Sequence, residues 1–330
     1  MEKKMAHQSR SNNAFGGVFP VVPTPLREDQ SVDYNGLEQL INFYINEGCH
    51  GLLVLGSYGE HPYFTFEERC EIIKHATRAA EGRVPVIACV GFTGLREAES
   101  FLEKTAPMPV DAYLVVLPTY FRVEHKDCLD YYCKLGEHAD RPLLYYHIPQ
   151  LTGIDPSPDE MSELLHLDCI AGVKDSSMNL GSMKRVLSLK EEAGLSYFAG
   201  SGLLLLETLK RGGAGVMCTV ASLVPGLVVS CYEAYLAGEF KRAGLLQNKI
   251  FEFLPVMNSF SLPAGIQKAG FKVLSKITMS AIAPRHAISK EFLRQSGFPI
   301  TSMVRSPLPQ ITEKDKISVT NYIKTHGVKK

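Results

Sequence analysis

The chain has 330 residues, of which 45% are hydrophobic and 21% are charged, and its formal net charge at pH 7 is zero. This composition is that of an ordinary globular protein, and the balanced charge gives no electrostatic footprint for nucleic acid or an anionic membrane surface. No apolar run approaches the roughly 18 residues that a membrane-spanning helix needs. We therefore expect neither nucleic acid nor membrane as a partner.

The first 13 residues, up to Asn13, are polar and lack an apolar core. This argues against a secretory signal and favours a disordered tail. Eight cysteines are scattered along the chain without a CxxC pair, so a zinc ribbon or a dithiol motif is not supported. Several of them stand in apolar runs, where a reduced cysteine behaves as a small hydrophobic side chain. A cytoplasmic location fits this pattern best.

Short apolar runs alternate with amphipathic segments of helical length. The predicted strands are Gly17–Val22, Gly51–Leu55, Val84–Val90, Ala112–Leu117, Leu143–His147, Ile170–Val173, Ser196–Ala199 and Gly215–Thr219. The predicted helices are Tyr34–Glu47, Phe66–Glu81, Glu97–Thr105, Lys126–Ala139, Pro158–Leu165, Leu180–Glu192 and Leu203–Arg211. Such strands pair in parallel through right-handed crossovers, and eight such units within about 220 residues are typical of a closed (β/α)8 barrel.

An open, doubly wound sheet is the competing architecture. It usually carries a glycine-rich dinucleotide fingerprint after the first strand, whereas this strand ends in Val22-Pro23-Thr24-Pro25. A proline-stiffened turn cannot wrap a pyrophosphate in that way. We therefore predict an α/β fold in which residues 14–222 form a TIM barrel.

The alternation stops after about Ser222. Helical patterns follow at Leu223–Glu239, Lys241–Asn258 and Ala264–Leu274. Residues 223–330 are therefore predicted to be a helical C-terminal extension packed on the barrel. Thr312 with Asp315 resembles the N-cap and first turn of a terminal helix, whereas Ser280–Thr301 has no decipherable pattern.

Lys174 ends the strand-like run Ile170-Ala171-Gly172-Val173 and precedes the polar residues Asp175-Ser176-Ser177. Its stem would pack on the core while its amine points into a pocket, and burial favours the neutral amine. A neutral lysine amine is a nucleophile that forms Schiff bases with carbonyl substrates. Function in α/β barrels collects at strand ends. Because most lysines are solvated surface charges, this interpretation needs support from the other strand ends.

Three other strand ends carry polar or aromatic residues. The second strand ends in Gly56-Ser57-Tyr58-Gly59-Glu60, which is either an ordinary turn or a nest whose backbone N–H groups bind a carboxylate. The fourth ends in Leu117-Pro118-Thr119-Tyr120-Phe121 and the fifth in Tyr145-Tyr146-His147-Ile148-Pro149. Tyr145 and Tyr146 must face opposite sides of the sheet. A tyrosine hydroxyl near an amine can move protons while a carbinolamine forms and loses water, although a single tyrosine is more often a packed aromatic.

These segments together resemble the pyruvate-dependent class I aldolases and lyases typified by dihydrodipicolinate synthase and N-acetylneuraminate lyase. The family's Gly-(Thr/Ser)-Thr-Gly-Glu loop, Tyr-Asn-Ile-Pro-x-x-Thr-Gly segment and Gly-(Ile/Val)-Lys-(Asp/Glu) segment match Gly56–Glu60, Tyr146–Gly153 and Gly172–Asp175. The resemblance covers roughly residues 15–260, with a weaker echo at Pro307–Pro309. It implies a Schiff-base lyase or aldolase that acts on pyruvate or another 2-oxo acid and on an aldehyde.

The resemblance also implies roles for the matched residues. Lys174 would form the imine, Tyr146 would move protons at the reacting bonds, and Ser57 would link Tyr146 to a second tyrosine. Tyr120 matches the family tyrosine that enters from a neighbouring subunit, which implies a homotetramer built as a dimer of dimers. The resemblance implies no metal and no cofactor beyond the covalent imine on Lys174.

The residues expected to bind substrate are Ser57, Tyr58, His147, Leu151, Ser176 and Met217. In this set the backbone of Ser57 and Tyr58 would hold the substrate carboxylate. Tyr58 stands where a threonine or an asparagine is usual in the family. His147 stands where an asparagine is usual. We expect these two residues to reshape the aldehyde site together, with packing into the core as the alternative.

Leu151 stands where the lysine-biosynthetic synthases have an arginine that binds the carboxylate of the aldehyde substrate. A leucine supplies neither a charge nor a bidentate fork, so dihydrodipicolinate synthesis is disfavoured. Leu151 and Ser57 are similar to the N-acetylneuraminate lyase branch, and the Gly56–Glu60 loop with Lys174–Ser176 also resembles 4-hydroxy-2-oxoglutarate aldolase. A dihydrodipicolinate synthase and a non-catalytic homologue that binds a small acid remain the alternatives.

Overall fold

Strands and helices alternate in the predicted order in the computed structural model, which describes residues 15–92, 94–257 and 286–326. The strands are β1 (Gly17–Pro20), β2 (Leu52–Val54), β3 (Val86–Val90), β4 (Ala112–Val116), β5 (Leu143–His147), β6 (Ile170–Asp175), β7 (Ser196–Ala199) and β8 (Gly215–Cys218). The barrel helices are α1 (Tyr34–Asn46), α2 (Phe66–Ala80), α3 (Leu95–Thr105), α4 (His125–His138), α5 (Pro149–Thr152), α6 (Pro158–Leu165), α7 (Leu180–Ala193) and α8 (Leu205–Lys210). The tail predicted up to Asn13 lies outside the described residues.

The eight strands form one parallel sheet in the order β1-β8-β7-β6-β5-β4-β3-β2. A parallel bridge between Val21 and Leu53 brings β1 beside β2 and closes the sheet. The predicted TIM barrel is therefore confirmed. Its core is continuous with the helical layer, because the buried apolar side chains of strands and surrounding helices form one cluster.

Strand register decides which side chains face the barrel interior. Tyr145 of β5 packs edge-on against Tyr132 of α4, with ring centroids 5.8 Å apart, so Tyr145 faces the helices. Tyr146 must then face the interior. Its direct partner across the sheet is Lys174 of β6, which in turn pairs with Phe198 of β7. Lys174 and Tyr146 therefore project into the same space inside the barrel.

Local signals in the sequence set the helix starts. Thr65 caps α2 in a reciprocal capping box, in which its Oγ1 accepts from Glu68 N at 3.2 Å and its N donates to Glu68 Oε2 at 2.9 Å. Ser157 and Glu160 form the same box at α6, and Pro158 occupies the first helical position. These two caps fix where the chain leaves the loops that precede α2 and α6.

Strand β6 is longer than predicted. The prediction ended it at Val173, but it continues to Asp175 because Lys174 and Asp175 pair with Tyr146 and His147 of β5. Lys174 thus lies within the hydrogen-bonded sheet. A strand position fixes the backbone more firmly than a loop position would.

A short helix that was not predicted, α9 (Thr219–Leu223), precedes the first predicted helix of the C-terminal region, Leu223–Glu239, which begins later and ends earlier as α10 (Pro225–Leu236). Pro225 begins α10, and the residue before a proline is driven out of the helical conformation. Val224 accordingly has φ −139° and ψ 65°.

The rest of the described C-terminal region combines four helices with an irregular segment at residues 296–312. Its helices are α11 (Phe240–Glu252), α12 (Leu254–Met257), α13 (His286–Gln295) and α14 (Glu313–His326). The predicted helix Ala264–Leu274 lies outside the described residues, and α13 falls in the stretch that had no decipherable pattern. The predicted cap of α14 is confirmed, because Asp315 N donates to Thr312 Oγ1 at 3.2 Å. None of the helices within the described ranges has the length and apolar character needed to cross a membrane.

Candidate active site

Three predicted residues meet at the carboxyl-terminal end of the barrel interior. The Lys174 side chain is 2% exposed, and its Nζ lies 4.1 Å from the centroid of the Tyr146 ring. The Tyr146 hydroxyl lies 3.3 Å from Ser57 Oγ, so either group can donate to the other. The ends of β6, β5 and β2 thus bring a buried amine, a phenol and a hydroxyl together.

The Ser57–Gly59 segment is a single 3₁₀ turn that follows β2. Hydrogen bonds within it use the N–H groups of Gly59 and Glu60, which donate to Gly56 O and Ser57 O. The N–H groups of Ser57 and Tyr58 have no partner among the residues that the structure describes. Two adjacent free N–H groups are the arrangement that binds a carboxylate.

Ser176 and Met217 both lie near the carboxyl-terminal end of the barrel. The N–H of Ser176 donates to His147 O at 2.8 Å, and its Oγ occupies the space above Gly200, where an added Cβ would approach within 1.9 Å. Met217 is fully buried on β8 and pairs with Phe19 of β1. Phe19 in turn meets Phe198 with ring centroids 5.3 Å apart, so Met217 belongs to the interior layer around Lys174.

Leu151 and Tyr120 lie on exposed loops above the strands. Leu151 is 46% exposed on the short helix α5. Tyr120, in the loop between β4 and α4, is 80% exposed in this single chain and stacks edge-on against the similarly exposed Phe121. Two adjacent exposed aromatic rings on one loop are what a contact with another subunit would cover.

Tyr58 and His147 do not join the cluster around Lys174. Tyr58 is buried with its ring edge-on to His286 of α13, at a centroid distance of 5.1 Å. His147 faces the helical layer together with Tyr145, whose hydroxyl lies 3.1 Å from His147 Nδ1. Both side chains thus take the packed arrangement that the sequence had left as the alternative.

The strand end that carries Lys174 is fixed by Asp175, which faces away from the barrel interior. Asp175 accepts from the Tyr197 hydroxyl at 3.0 Å through one oxygen and from Ser177 N at 2.9 Å through the other. Burial raises the pKa of Tyr197, so the phenol stays protonated and donates. These bonds hold the backbone on either side of Lys174.

His61 is a candidate site residue that the sequence reasoning missed. It is 8% exposed, and its Nε2 fills the space where a Cβ at Gly91 would lie within 2.2 Å. Burial, then the positive charges of Arg69 and Lys174, lower the pKa of His61 to about 3, so the imidazole is neutral. Its position immediately after the Gly56–Glu60 loop was the available signal.

An open cavity of about 630 Å³ lies between the loops that follow β4 and β5. Its wall includes Arg122, Lys126, Asp155 and Glu160. None of the three clustered residues lines it, so we distinguish this surface cavity from the barrel interior where the amine lies.

Comparison with known proteins gave consistent matches. A model of the dihydrodipicolinate synthetase family matches residues 14–275. A 4-hydroxy-tetrahydrodipicolinate synthase of Methanoculleus marisnigri is 31% identical over 77% of this chain and 88% of its own length. YjhH of Escherichia coli, named as a probable 2-dehydro-3-deoxy-D-pentonate aldolase, is 27% identical over 92% of this chain and 96% of its own length. YagE of Escherichia coli, solved in complex with pyruvate, superposes with a TM-score of 0.84 at 23% identity, over 96% of this chain and all of YagE.

Proposed function

This chain belongs to the dihydrodipicolinate synthetase family of lyases and aldolases, and from that membership we propose that it cleaves or forms a carbon–carbon bond through a Schiff base on Lys174. The substrate is pyruvate or a 2-oxo acid that yields pyruvate. The observation that carries the proposal is the buried Lys174 amine against the Tyr146 ring, with the Tyr146 hydroxyl joined to Ser57. A protein that only binds small acids has no need of a buried amine in that position.

The chemistry begins with the neutral Lys174 amine, which adds to the ketone carbon and forms a carbinolamine. Loss of the former ketone oxygen as water leaves the imine, which carries a positive charge when protonated. In the cleavage direction, the substrate hydroxyl loses its proton and the adjacent C–C bond breaks. The bonding electrons flow into the iminium to give an enamine, and an aldehyde leaves. In the condensation direction the enamine carbon attacks the aldehyde.

Tyr146 is the group that moves protons in this scheme. It faces the same interior space as Lys174, and its hydroxyl is within reach of Ser57 Oγ. The phenol can give a proton to the leaving carbinolamine oxygen and take one from the hydroxyl beside the breaking bond. Ser57 passes protons between Tyr146 and a second tyrosine, for which we propose Tyr120 of a neighbouring subunit.

The substrate carboxylate binds at the Ser57–Gly59 turn. This placement of the carboxylate is supported by the two free backbone N–H groups of Ser57 and Tyr58. A carboxylate held there by two fixed donors would place its ketone carbon at a set position relative to Lys174. Ser176 and Met217 border the same end of the barrel and complete the pocket wall.

The aldehyde substrate carries no carboxylate in the part that lies against Leu151. Leu151 offers no cation to pair with the charge of aspartate semialdehyde, and the loss of a charge-paired contact typically costs about 2–5 kcal/mol. This favours a hydroxylated aldehyde or N-acetylmannosamine over aspartate semialdehyde. The pentonate aldolase among the relatives is consistent with such an acceptor.

We further propose a cytoplasmic homotetramer that uses no metal and no dissociable cofactor. The exposed Tyr120–Phe121 pair supports self-association through this loop. The imine on Lys174 supplies the electron sink that a cofactor would otherwise provide.

A substrate panel tests the proposal. Pyruvate release is measured from 4-hydroxy-2-oxo acids, 2-dehydro-3-deoxy sugar acids and N-acetylneuraminate, and condensation is measured with pyruvate and aspartate semialdehyde. We expect turnover of at least one cleavage substrate, and none by Lys174→Ala. Strong condensation with aspartate semialdehyde would overturn the argument from Leu151, and a Lys174→Ala protein with full turnover would overturn the assigned nucleophile.

A further inference from the structure

A fully buried ion pair joins the C-terminal region to the active-site turn. Lys290 of α13 lies 2.5 Å, Nζ to Oε1, from Glu60, and both side chains are 0% exposed. Lys290 also donates to Met303 O at 2.8 Å. Two buried charges are costly to desolvate, and apolar residues of the same volume are often as stable. The pair therefore calls for an explanation other than stability.

Glu60 directly follows the turn that carries Ser57. Its backbone N donates to Ser57 O at 3.1 Å, and its φ of 62° lies in the left-handed region, which is strained for a glutamate. Its second carboxylate oxygen accepts from Arg305 N at 2.7 Å. Lys290 and Arg305 therefore hold Glu60 from the C-terminal region, and Glu60 holds the end of the turn.

The same region touches the turn at a second point. The ring of His286 packs against Tyr58, and the Ser57 carbonyl lies within hydrogen-bonding reach of the imidazole. Burial, together with the charge of Lys290, lowers the pKa of His286 to about 4, so the ring is neutral and has one N–H to donate. The side chain of Tyr58, unusual for its family, thus serves as a contact to α13.

The segment of residues 301–306, which carries Arg305, is itself anchored to other parts of the barrel. Arg305 forms a bidentate pair with Glu68 of α2, at 3.2 and 2.8 Å. Ser306 N donates to Gln30 Oε1 at 3.0 Å, and Thr301 Oγ1 donates to Leu26 O at 2.6 Å. The segment is thus a fixed support against which Lys290 and Arg305 can hold Glu60.

We propose that Glu60 and Lys290 are positioning residues that hold Ser57 against Tyr146 and thereby set the rate at which the imine forms on Lys174. This inference rests on the proposed function. The Ser57–Tyr146 contact is 3.3 Å, longer than the usual 2.7–2.8 Å between hydroxyl groups. A shift of the turn by a few tenths of an ångström would break it, and small misplacements of reacting groups cost rate.

The test uses Glu60→Gln/Lys290→Met, which removes both charges and leaves an amide oxygen in place of the carboxylate, still able to accept from Arg305 N. The control is Lys316→Met, which removes a surface charge paired with Glu313 on α14, far along the chain from the turn. Glu60→Gln alone is a second variant. It leaves Lys290 buried without its carboxylate partner, which the lysine can tolerate by giving up its proton, because burial already lowers the pKa of Lys290. Amide hydrogen exchange of residues 56–60 and the rate of borohydride-trapped adduct formation at saturating pyruvate are measured.

We expect faster exchange at residues 56–60 and an adduct rate lowered about tenfold in the double variant, and a smaller change of both in Glu60→Gln. In a Ser57→Ala background the double substitution should lower the rate no further, because its effect acts through Ser57. Lys316→Met should match the wild type. Unchanged exchange in the folded variants, or rate losses that multiply with that of Ser57→Ala, would overturn the inference. A wild-type protein that forms no adduct would instead overturn the proposed function. Amide exchange at residues 56–60 would then decide by itself whether Glu60 and Lys290 hold the turn.

Discussion

At the scale of single residues, neighbouring side chains with similar chemistry have opposite environments. Tyr145 and Tyr146 are adjacent, yet Tyr145 packs under α4 beside His147 while Tyr146 faces Lys174. Burial raises the pKa of Tyr145 well above its usual value, which makes that phenol a poor proton carrier. The period of two along β5 therefore separates a structural tyrosine from the one that we propose to be catalytic.

Tyr146→Phe should lower kcat by about 10²-fold or more, because it removes the group that we propose moves protons at the reacting bonds. Tyr145→Phe is the matched control, since it removes the same hydroxyl one residue away on the other face of the sheet. We expect Tyr145→Phe to retain most of its kcat while losing some thermal stability. Steady-state kinetics of both variants on one cleavage substrate checks this, and equal losses of kcat would refute the assignment of Tyr146.

Leu151→Arg should raise kcat/KM for the condensation of pyruvate with aspartate semialdehyde about tenfold. The guanidinium would pair with the aldehyde's carboxylate, and Leu151 is exposed enough to accept a longer side chain. Leu151→Gln, which has length but no charge, is the control. No gain with arginine, or an equal gain with glutamine, would show that this position does not select the aldehyde.

At the scale of elements, the strand ends made the site predictable. Lys174 and Tyr146 lie near the ends of short buried strands and Ser57 follows another, and parallel strands in a barrel bring their ends together. What the sequence did not predict depends on pairs distant in the chain. Glu60 meets Lys290 and Glu68 meets Arg305 across more than 200 residues, and no local periodicity reports a single long-range contact. The predicted end of β6 was likewise two residues too early, because pairing with β5 extends the strand through Lys174 and Asp175 despite their polar side chains.

Tyr120→Phe should lower kcat about tenfold without unfolding the protein, because its ring is exposed in the single chain and is proposed to serve a neighbour's site. Mixing Tyr120→Phe with Lys174→Ala subunits is the sharper measurement. A hybrid pair contains one site with an intact Lys174 and an intact Tyr120 from the other subunit. Activity should therefore return on mixing, and a mixture no more active than its components would place Tyr120 outside the neighbouring site.

At the scale of the whole molecule, neutral buried histidines link stability to pH. The pKa of His61 is lowered to about 3 and that of His286 to about 4, mainly by burial, whereas an unfolded histidine titrates near about 6.5. The unfolded chain therefore binds more protons below that pH. The free energy of unfolding should be constant in this respect above about pH 6.5 and should fall towards pH 4, by up to about 1.4 kcal/mol per pH unit for each histidine.

Chemical denaturation at pH 7, 6 and 5 measures this slope. Glutamates with lowered pKa values, such as Glu38 and Glu68, start from 4.5 in the unfolded chain and add their own loss only below that pH. The variant His61→Gln/His286→Gln should make the curve shallower between pH 6.5 and 5, with a remaining slope from His50, whose pKa burial also lowers. A wild-type curve that is already flat over this range would contradict the buried, neutral state of both rings.

Every step proposed for this site depends on an imine between Lys174 and pyruvate, and reductive trapping detects that imine. The protein is incubated with pyruvate and borohydride, digested, and the peptide that carries Lys174 is weighed by mass spectrometry. We expect one reduced pyruvate adduct on that peptide, at Lys174, and none on the Lys174→Ala protein. An unmodified Lys174 peptide, or an adduct that persists at another lysine in the variant, would contradict it.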